Sequence, residues 1–238
     1  MTTADRSLGV FETLLVRAGA VQALGAHLAR LRGSIASLYG LRPPADLDAR
    51  IRERAVALGP GEHRLRVDVR PVEKTLDVTF QTDRLSPRPE LFTLRPLAFA
   101  GGYGEHKLAD RGPLTGTSSA SGGPVALLVD SDPGATVLEA AWANVWLVDS
   151  DRLITPPLDG RILPGVTRAR VVGLAGSLGL SVDERPFSLA QARAGRSMLT
   201  SSLQLAAPAA FEGGVEPGPD AVATIDRIRR ALLEADWE

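Results

Sequence analysis

The sequence predicts a mixed α/β (α+β) protein of two domains, and three observations predict it. Strand-like and helix-like patterns alternate in two successive blocks. A glycine-containing stretch, Ala98-Phe99-Ala100-Gly101-Gly102, separates the blocks. An apolar content of 44% in 238 residues is enough for a sizeable core. The expected division is a small N-terminal α/β domain at 1–98, a connection at 99–106 and a larger C-terminal domain at 107–238.

The elements follow in order. Val10 to Val16 is rich in β-formers, and Ala20-Val21-Gln22 after Gly19 reads as its return strand. Leu28, Leu31, Ile35 and Leu38 repeat at helical spacing, with Gly40 as the stop. Leu47, Ile51, Ala55 and Leu58 mark a second helix ended by Gly59-Pro60. Leu65, Val67 and Val69 alternate, as do Leu76, Val78 and Phe80, giving two half-buried strands joined by a turn at Lys74. Leu91, Thr93 and Arg95 form a third strand running into the connection. In the second block, GPLTGTSSASGGP at 112–124 is loop-like and Val125 to Val129 is a buried strand. Trp142, Val145, Leu147 and Val148 make an apolar run answered by Arg152-Leu153-Ile154, which Pro156-Pro157 ends because proline cannot donate to a ladder. Pro164-Gly165-Val166-Thr167 opens a helix through Val171, Leu174 and Leu178. Ser181 to Asp183 and Ser197 to Thr200 read as strands, and Ile225, Ile228 and Leu232 as a C-terminal amphipathic helix.

Composition narrows the function. A net charge of −1 without a basic cluster argues against nucleic-acid binding. No apolar run reaches the length of a membrane span, and the start lacks the basic and apolar regions of a signal peptide, so the expectation is a cytoplasmic chain. With no cysteine there is neither a disulfide framework nor a thiolate site, and His27, His63 and His106 lack metal-ligand spacing. No metal is expected.

Three features carry chemistry. The helix start at LPGVT offers backbone N–H groups and a positive dipole end, a ready anion site. Glu139 stands upstream, where an acid can face whatever the anion is attached to. Of 27 basic residues only Lys74 and Lys107 are lysine, and lysine does what arginine cannot: it sheds its proton and forms a Schiff base. Taken alone, Lys107 reads more simply as a surface lysine and Glu139 as an exposed strand residue. Together with LPGVT they suggest a phosphorylated cofactor with a basic nitrogen.

The residues GVFETLLV at 9–16, HLARL at 27–31, HKLADR at 106–111, ALLVD at 126–130, EAAWANVWLV at 139–148, TPPLDGRILPGVTR at 155–168 and LTSSLQLAAP at 199–208 resemble the class IV aminotransferase family, the fold-type IV pyridoxal-phosphate enzymes. The resemblance runs through nearly the whole chain and implies two mixed α/β domains with pyridoxal 5′-phosphate between them. It implies Lys107 as the Schiff-base lysine and Glu139 as the acid paired with the ring nitrogen. It also implies a phosphate cup of Arg30, Val166, Thr167 and the late serines Ser201 and Ser202. Arg30 has the plainer reading of a solvated helix arginine, and the serines that of an ordinary turn. His27 reads as structural, Asn144 as shaping the turn at Glu139, and His106 as a neighbour of the site. The start departs from the family: Asp5-Arg6-Ser7-Leu8-Gly9 runs almost straight into the Phe-Glu-Thr strand, where relatives carry an opening strand and a longer turn.

The cofactor residues do not choose the reaction. Arg111, four residues after Lys107 in a Lys-x-x-Asp-Arg pattern, resembles 4-amino-4-deoxychorismate lyases, and is read either as a substrate-carboxylate ligand or as a partner of Asp110. The resemblance thus implies a lyase that releases pyruvate and 4-aminobenzoate, in folate biosynthesis, with an aminotransferase on branched-chain or D-amino acids as the alternative. A catalytically inactive cofactor-binding member is the third reading. A homodimer acting on a small molecule is expected.

Overall fold

A computed structural model describes residues 4–114 and 123–238. Most of the loop expected at 112–124 lies outside the described residues. The chain divides into two compact units. The first holds the segment up to Pro87, His106–Pro113 and Ala235–Glu238; the second holds Arg88–Glu105 and the chain from Leu114 to Glu234.

In the first unit, strands β1 (Val10–Arg17), β2 (Ala20–Val21), β3 (Glu62–Val72) and β4 (Thr75–Arg84) form an antiparallel sheet in the order β2-β1-β3-β4. Helices α1 (Leu24–Tyr39) and α2 (Leu47–Ala57) complete it. Direct pairing places Val10 beside Val69, Glu12 beside Val67, Leu14 beside Leu65 and Val16 beside His63. Paired residues share a face, so one face of the sheet is a buried row in which Glu12 is the only acid among these eight. Helix α1 buries Leu24, His27, Leu28, Leu31, Ser34 and Ile35, at the spacing of one helical face, and ends at Gly40 in the left-handed conformation. Before β1, Asp5 caps a single 3-10 turn at Arg6–Leu8 through the Ser7 N–H. Gly9 then approaches β3 so closely that a Cβ would overlap the Val69 carbonyl, and its φ of +95° suits glycine alone.

In the second unit, strands β5 (Phe92–Ala98), β6 (Val125–Val129), β7 (Val137–Ala140), β8 (Asn144–Asp149), β9 (Arg152–Thr155), β10 (Ser181–Glu184), β11 (Ser197–Ser201) and β12 (Leu205–Phe211) form one sheet in the order β10-β9-β8-β11-β12-β5-β6-β7. Pairs β5–β6, β5–β12 and β9–β10 are parallel and the others antiparallel. Strand β6 is buried at every residue. Its Val125, Leu127 and Val129 join one apolar cluster while Ala126 and Leu128 join another, so both faces of the sheet are covered there. Helices α3 (Val166–Ala175), α4 (Leu189–Ala194) and α5 (Pro219–Glu234) belong to this unit, with α5 against β12 and α3.

The expected boundaries shift accordingly. Strand β5 belongs to the second unit although it lies within 1–98, because its hydrogen-bond partners are β6 and β12. Residues 106–113 belong to the first, because Lys107–Ala109 pair with the start of β1. The mixed α/β class holds; none of the described helices is long and apolar enough to cross a membrane.

Candidate active site

Within the first unit, Lys107 is fixed by its backbone. Its carbonyl accepts the Phe11 N–H at 3.0 Å, the Ala109 N–H reaches Gly9 at 2.8 Å, and Leu108 bridges Val10. The side chain points back over β1, with Nζ 4.8 Å from the centre of the Phe11 ring. The same ring carries the Arg66 guanidinium at 3.7 Å, and Arg66 is anchored by Asp68. Aromatic faces attract cations, so Phe11 gathers a lysine and an arginine into one place.

The next residue, Glu12, faces the opposite way, into the apolar row under α1. Arg30 donates to both of its carboxylate oxygens at 2.7 Å, and His27 Nδ1 lies 2.8 Å from the second. Burial pushes the Glu12 carboxyl up, but the charges of Arg30 and His27 and their hydrogen bonds outweigh it and hold the group far below the usual carboxylate range. Burial holds His27 below its usual value against the pull of Glu12, with Arg30 and Lys107 adding to the downward shift. Arg30 is therefore not the solvated helix arginine of the plain reading. Glu12 went unassigned in the sequence, although an acid at a core-facing position of an apolar strand is itself the signal. His106 is tied to α1 through Ser34 Oγ at 3.1 Å. Arg111 is half-buried, and its neighbour Asp110 accepts the backbone N–H groups of Asp5 and Gly112.

Within the second unit, Glu139 lies on β7 and is 7% exposed, which removes the exposed-strand reading. It accepts the Leu163 N–H at 3.2 Å, while Asn144 Nδ2 donates to the Leu163 carbonyl at 2.9 Å. One residue of the LPGVT turn is thus gripped from both sides, by β7 and by the first residue of β8. Asn144 Oδ1 also packs on Gly165, where no Cβ fits. Helix α3 starts just beyond, and Gly165 gives it no side-chain cap. The first N–H groups of a helix have no intrahelical acceptor, so the turn at Val166 and Thr167, both buried, presents donors and the positive end of the dipole. Ser201 ends β11, its Oγ accepting the Gln204 N–H at 3.3 Å, and Ser202 follows in the same turn.

The structure therefore brings Arg30, His106, Lys107 and Arg111 into the first unit and Glu139, Val166, Thr167, Ser201 and Ser202 into the second. The second set has the group types that suit a phosphorylated group with a basic nitrogen: a helix start without a side-chain cap, the hydroxyls of Thr167, Ser201 and Ser202, and a buried acid. Among the described residues there is no cluster able to hold a metal ion.

Residues 117–210 match the family model described as amino-transferase class IV. A stretch of 94 residues, 38% of this chain, is 34% identical to the mitochondrial branched-chain-amino-acid aminotransferase 1 of Arabidopsis thaliana, and spans only 24% of that relative. Among solved structures, a hypothetical aminotransferase from Mycobacterium tuberculosis in its PLP-bound form is 25% identical with a TM-score of 0.79, over 96% of this chain and 90% of that one. The 4-amino-4-deoxychorismate lyase from Pseudomonas aeruginosa is 26% identical with a TM-score of 0.74, over 97% and 94%.

Proposed function

We propose, on the premise that residues 117–210 make this chain a member of the class IV amino-transferase family, that it is a pyridoxal 5′-phosphate-dependent lyase converting 4-amino-4-deoxychorismate to 4-aminobenzoate and pyruvate. The family is enzymatic and uses this cofactor, which when bound supplies an electron sink for negative charge at the carbon bearing the substrate's amino group. Lys107 is assigned the amine that holds the cofactor and then moves the proton from that carbon. Glu139 is assigned to the ring nitrogen, keeping its proton in place. Arg30, the N–H groups of Val166 and Thr167, and the hydroxyls of Ser201 and Ser202 are assigned to the phosphate. Arg111 is assigned to a substrate carboxylate, and His106 to the neighbourhood of the same substrate. As the proton leaves, the bond between the ring carbon and the enolpyruvyl oxygen breaks; pyruvate departs and the ring becomes aromatic without oxidant or reductant.

The observation that carries the lyase reading is the Lys107-x-x-Asp110-Arg111 spacing on the segment hydrogen-bonded to β1. The likeness to the Pseudomonas aeruginosa lyase over nearly the full length of both chains supports it. Amino transfer is the second reading, favoured by the Arabidopsis relative and the Mycobacterium tuberculosis structure. The resemblance further supports a homodimer working in the cytoplasm.

Stoichiometry separates the two. Elimination needs no second substrate, whereas amino transfer consumes a keto acid as acceptor for every amino group moved. Purified protein given freshly generated aminodeoxychorismate should form 4-aminobenzoate and pyruvate with no keto acid added, and borohydride reduction should leave the pyridoxyl label on Lys107. Amino transfer that depends on 2-oxoglutarate, with no aminobenzoate, would establish the second reading. A label on Lys74, or on neither lysine, would sink both.

A further inference from the structure

Glu12 is 2% exposed in the apolar row between β1 and α1. A carboxylate there is costly unless it is paired and hydrogen-bonded. It is both: Arg30 Nε and Nη2 donate to separate oxygens at 2.7 Å each, and His27 Nδ1 braces the second oxygen at 2.8 Å. Two parallel bonds fix the plane of a guanidinium, where one bond or charge alone leaves it free to swing. Arg30 itself is only 10% exposed at its side chain, so this plane is set within the protein rather than by solvent.

We propose that Glu12 is a positioning residue for phosphate recognition: it holds the Arg30 guanidinium in the orientation that meets the cofactor's phosphate, with His27 bracing the same carboxylate. The proposal rests on the assignment of Arg30 to the phosphate made above and concerns a residue that assignment leaves out. Its sign is the opposite of the simple electrostatic expectation. A carboxylate bonded to an anion-binding arginine weakens the local positive potential, so a bystander Glu12 opposes phosphate binding and its removal helps. A positioning Glu12 favours binding, and its removal hurts. Glu12→Gln also turns one oxygen into an amide donor facing the donors of Arg30 or His27.

The test is the ratio of the dissociation constants of pyridoxal and pyridoxal 5′-phosphate, measured by absorbance titration of the full-length protein. A ratio within one variant does not depend on how much of that variant is folded. Wild type should prefer the phosphorylated form, Arg30→Met should lose most of that preference, and Glu12→Gln should lower it on the order of tenfold, the worth of one charge-assisted hydrogen bond. Glu12→Asp, which keeps the charge but withdraws it by one methylene, should fall between. A preference unchanged or raised in Glu12→Gln, but collapsed in Arg30→Met, overturns the proposal alone. If Glu12→Gln does not fold, an unchanged preference in Glu12→Asp overturns it. A wild type indifferent to the phosphate overturns the parent assignment and this one with it.

Discussion

Glu12 and His27 share a hydrogen bond, and both lie below their usual protonation ranges: burial lowers His27, while the charges and hydrogen bonds of Arg30 and His27 lower Glu12 against its burial. The consequence for stability has one sign. An unfolded His27 gains its proton as pH falls through its usual 6.5, while the folded one resists, so stability is full above that value and declines below it. Glu12 adds a second decline that starts as pH falls through its usual 4.5, since the folded carboxylate stays ionised after the unfolded one has been protonated. Urea unfolding from pH 8 to pH 4 should show the midpoint falling in two stages, and His27→Gln should abolish the upper one. A midpoint flat between pH 7 and pH 5 in wild type would refute this account. Much of this site was visible in sequence. Lys107 stood out against an arginine-rich background, and Glu139 with LPGVT marked an acid and a helix start. The Glu12–Arg30 pair was not, because the partners are 18 residues apart on a strand and a helix, and no periodicity predicts which side chains meet across that gap.

Gly165 shows how one element is fitted to another. A Cβ at this position would overlap Asn144 Oδ1, and the Asn144 amide holds the Leu163 carbonyl. Gly165→Ala should force the start of α3 and the start of β8 apart, costing about 1–3 kcal/mol as overpacking does, and should weaken binding of the phosphorylated ligand more than of pyridoxal. Equilibrium unfolding and the same titrations check both; an alanine variant of full stability would mean the contact relaxes freely. Elements with strong periodicity, such as α1, β3 and β4, were legible for the usual reason: their apolar residues repeat at the period of the element. Strand β12 was not. Its sequence LAAPAAF contains no β-branched residue, and it is a strand because β11 and β5 pair with it on either side. Pro208 is tolerated because the ladder to β5 begins one residue later, at Ala209. Helix α4 did carry a signature, Ser188 and Gln191 closing a capping box, but six residues show too little periodicity to be noticed.

At the scale of the molecule, the chain supplies the first unit in three separated segments. The last runs beside β2: Val21 and Glu238 exchange backbone hydrogen bonds at 2.8 and 3.0 Å, the Ala23 N–H bonds Asp236, and Arg17 lies 5.3 Å from the centre of the Trp237 ring. Losing that cation–π contact should cost about 0.5–1 kcal/mol. Trp237→Ala should therefore speed amide exchange at Val21 and Ala23 roughly two- to five-fold, with amides of β8 and β11 unaffected. Equal acceleration throughout would show that the tail governs global rather than local opening. Sequence reading placed the division by composition, at a glycine-rich stretch. Composition marks where a chain turns easily and cannot report which sheet a strand will join, so β5 and residues 107–113 group with other segments than a division by composition gives them.

The pairing of Val21 with Glu238 also has a meaning in time. A ribosome delivers the chain from its N-terminal end, and domains tend to fold in that order. Here β1 to β4 emerge early, yet the flank of β2 waits for residues 235–238, and Lys107 reaches its place on β1 only after its own segment is made. During synthesis the first unit is thus held with that edge uncovered while the second is still being translated, an interval in which nascent-chain partners can reach it.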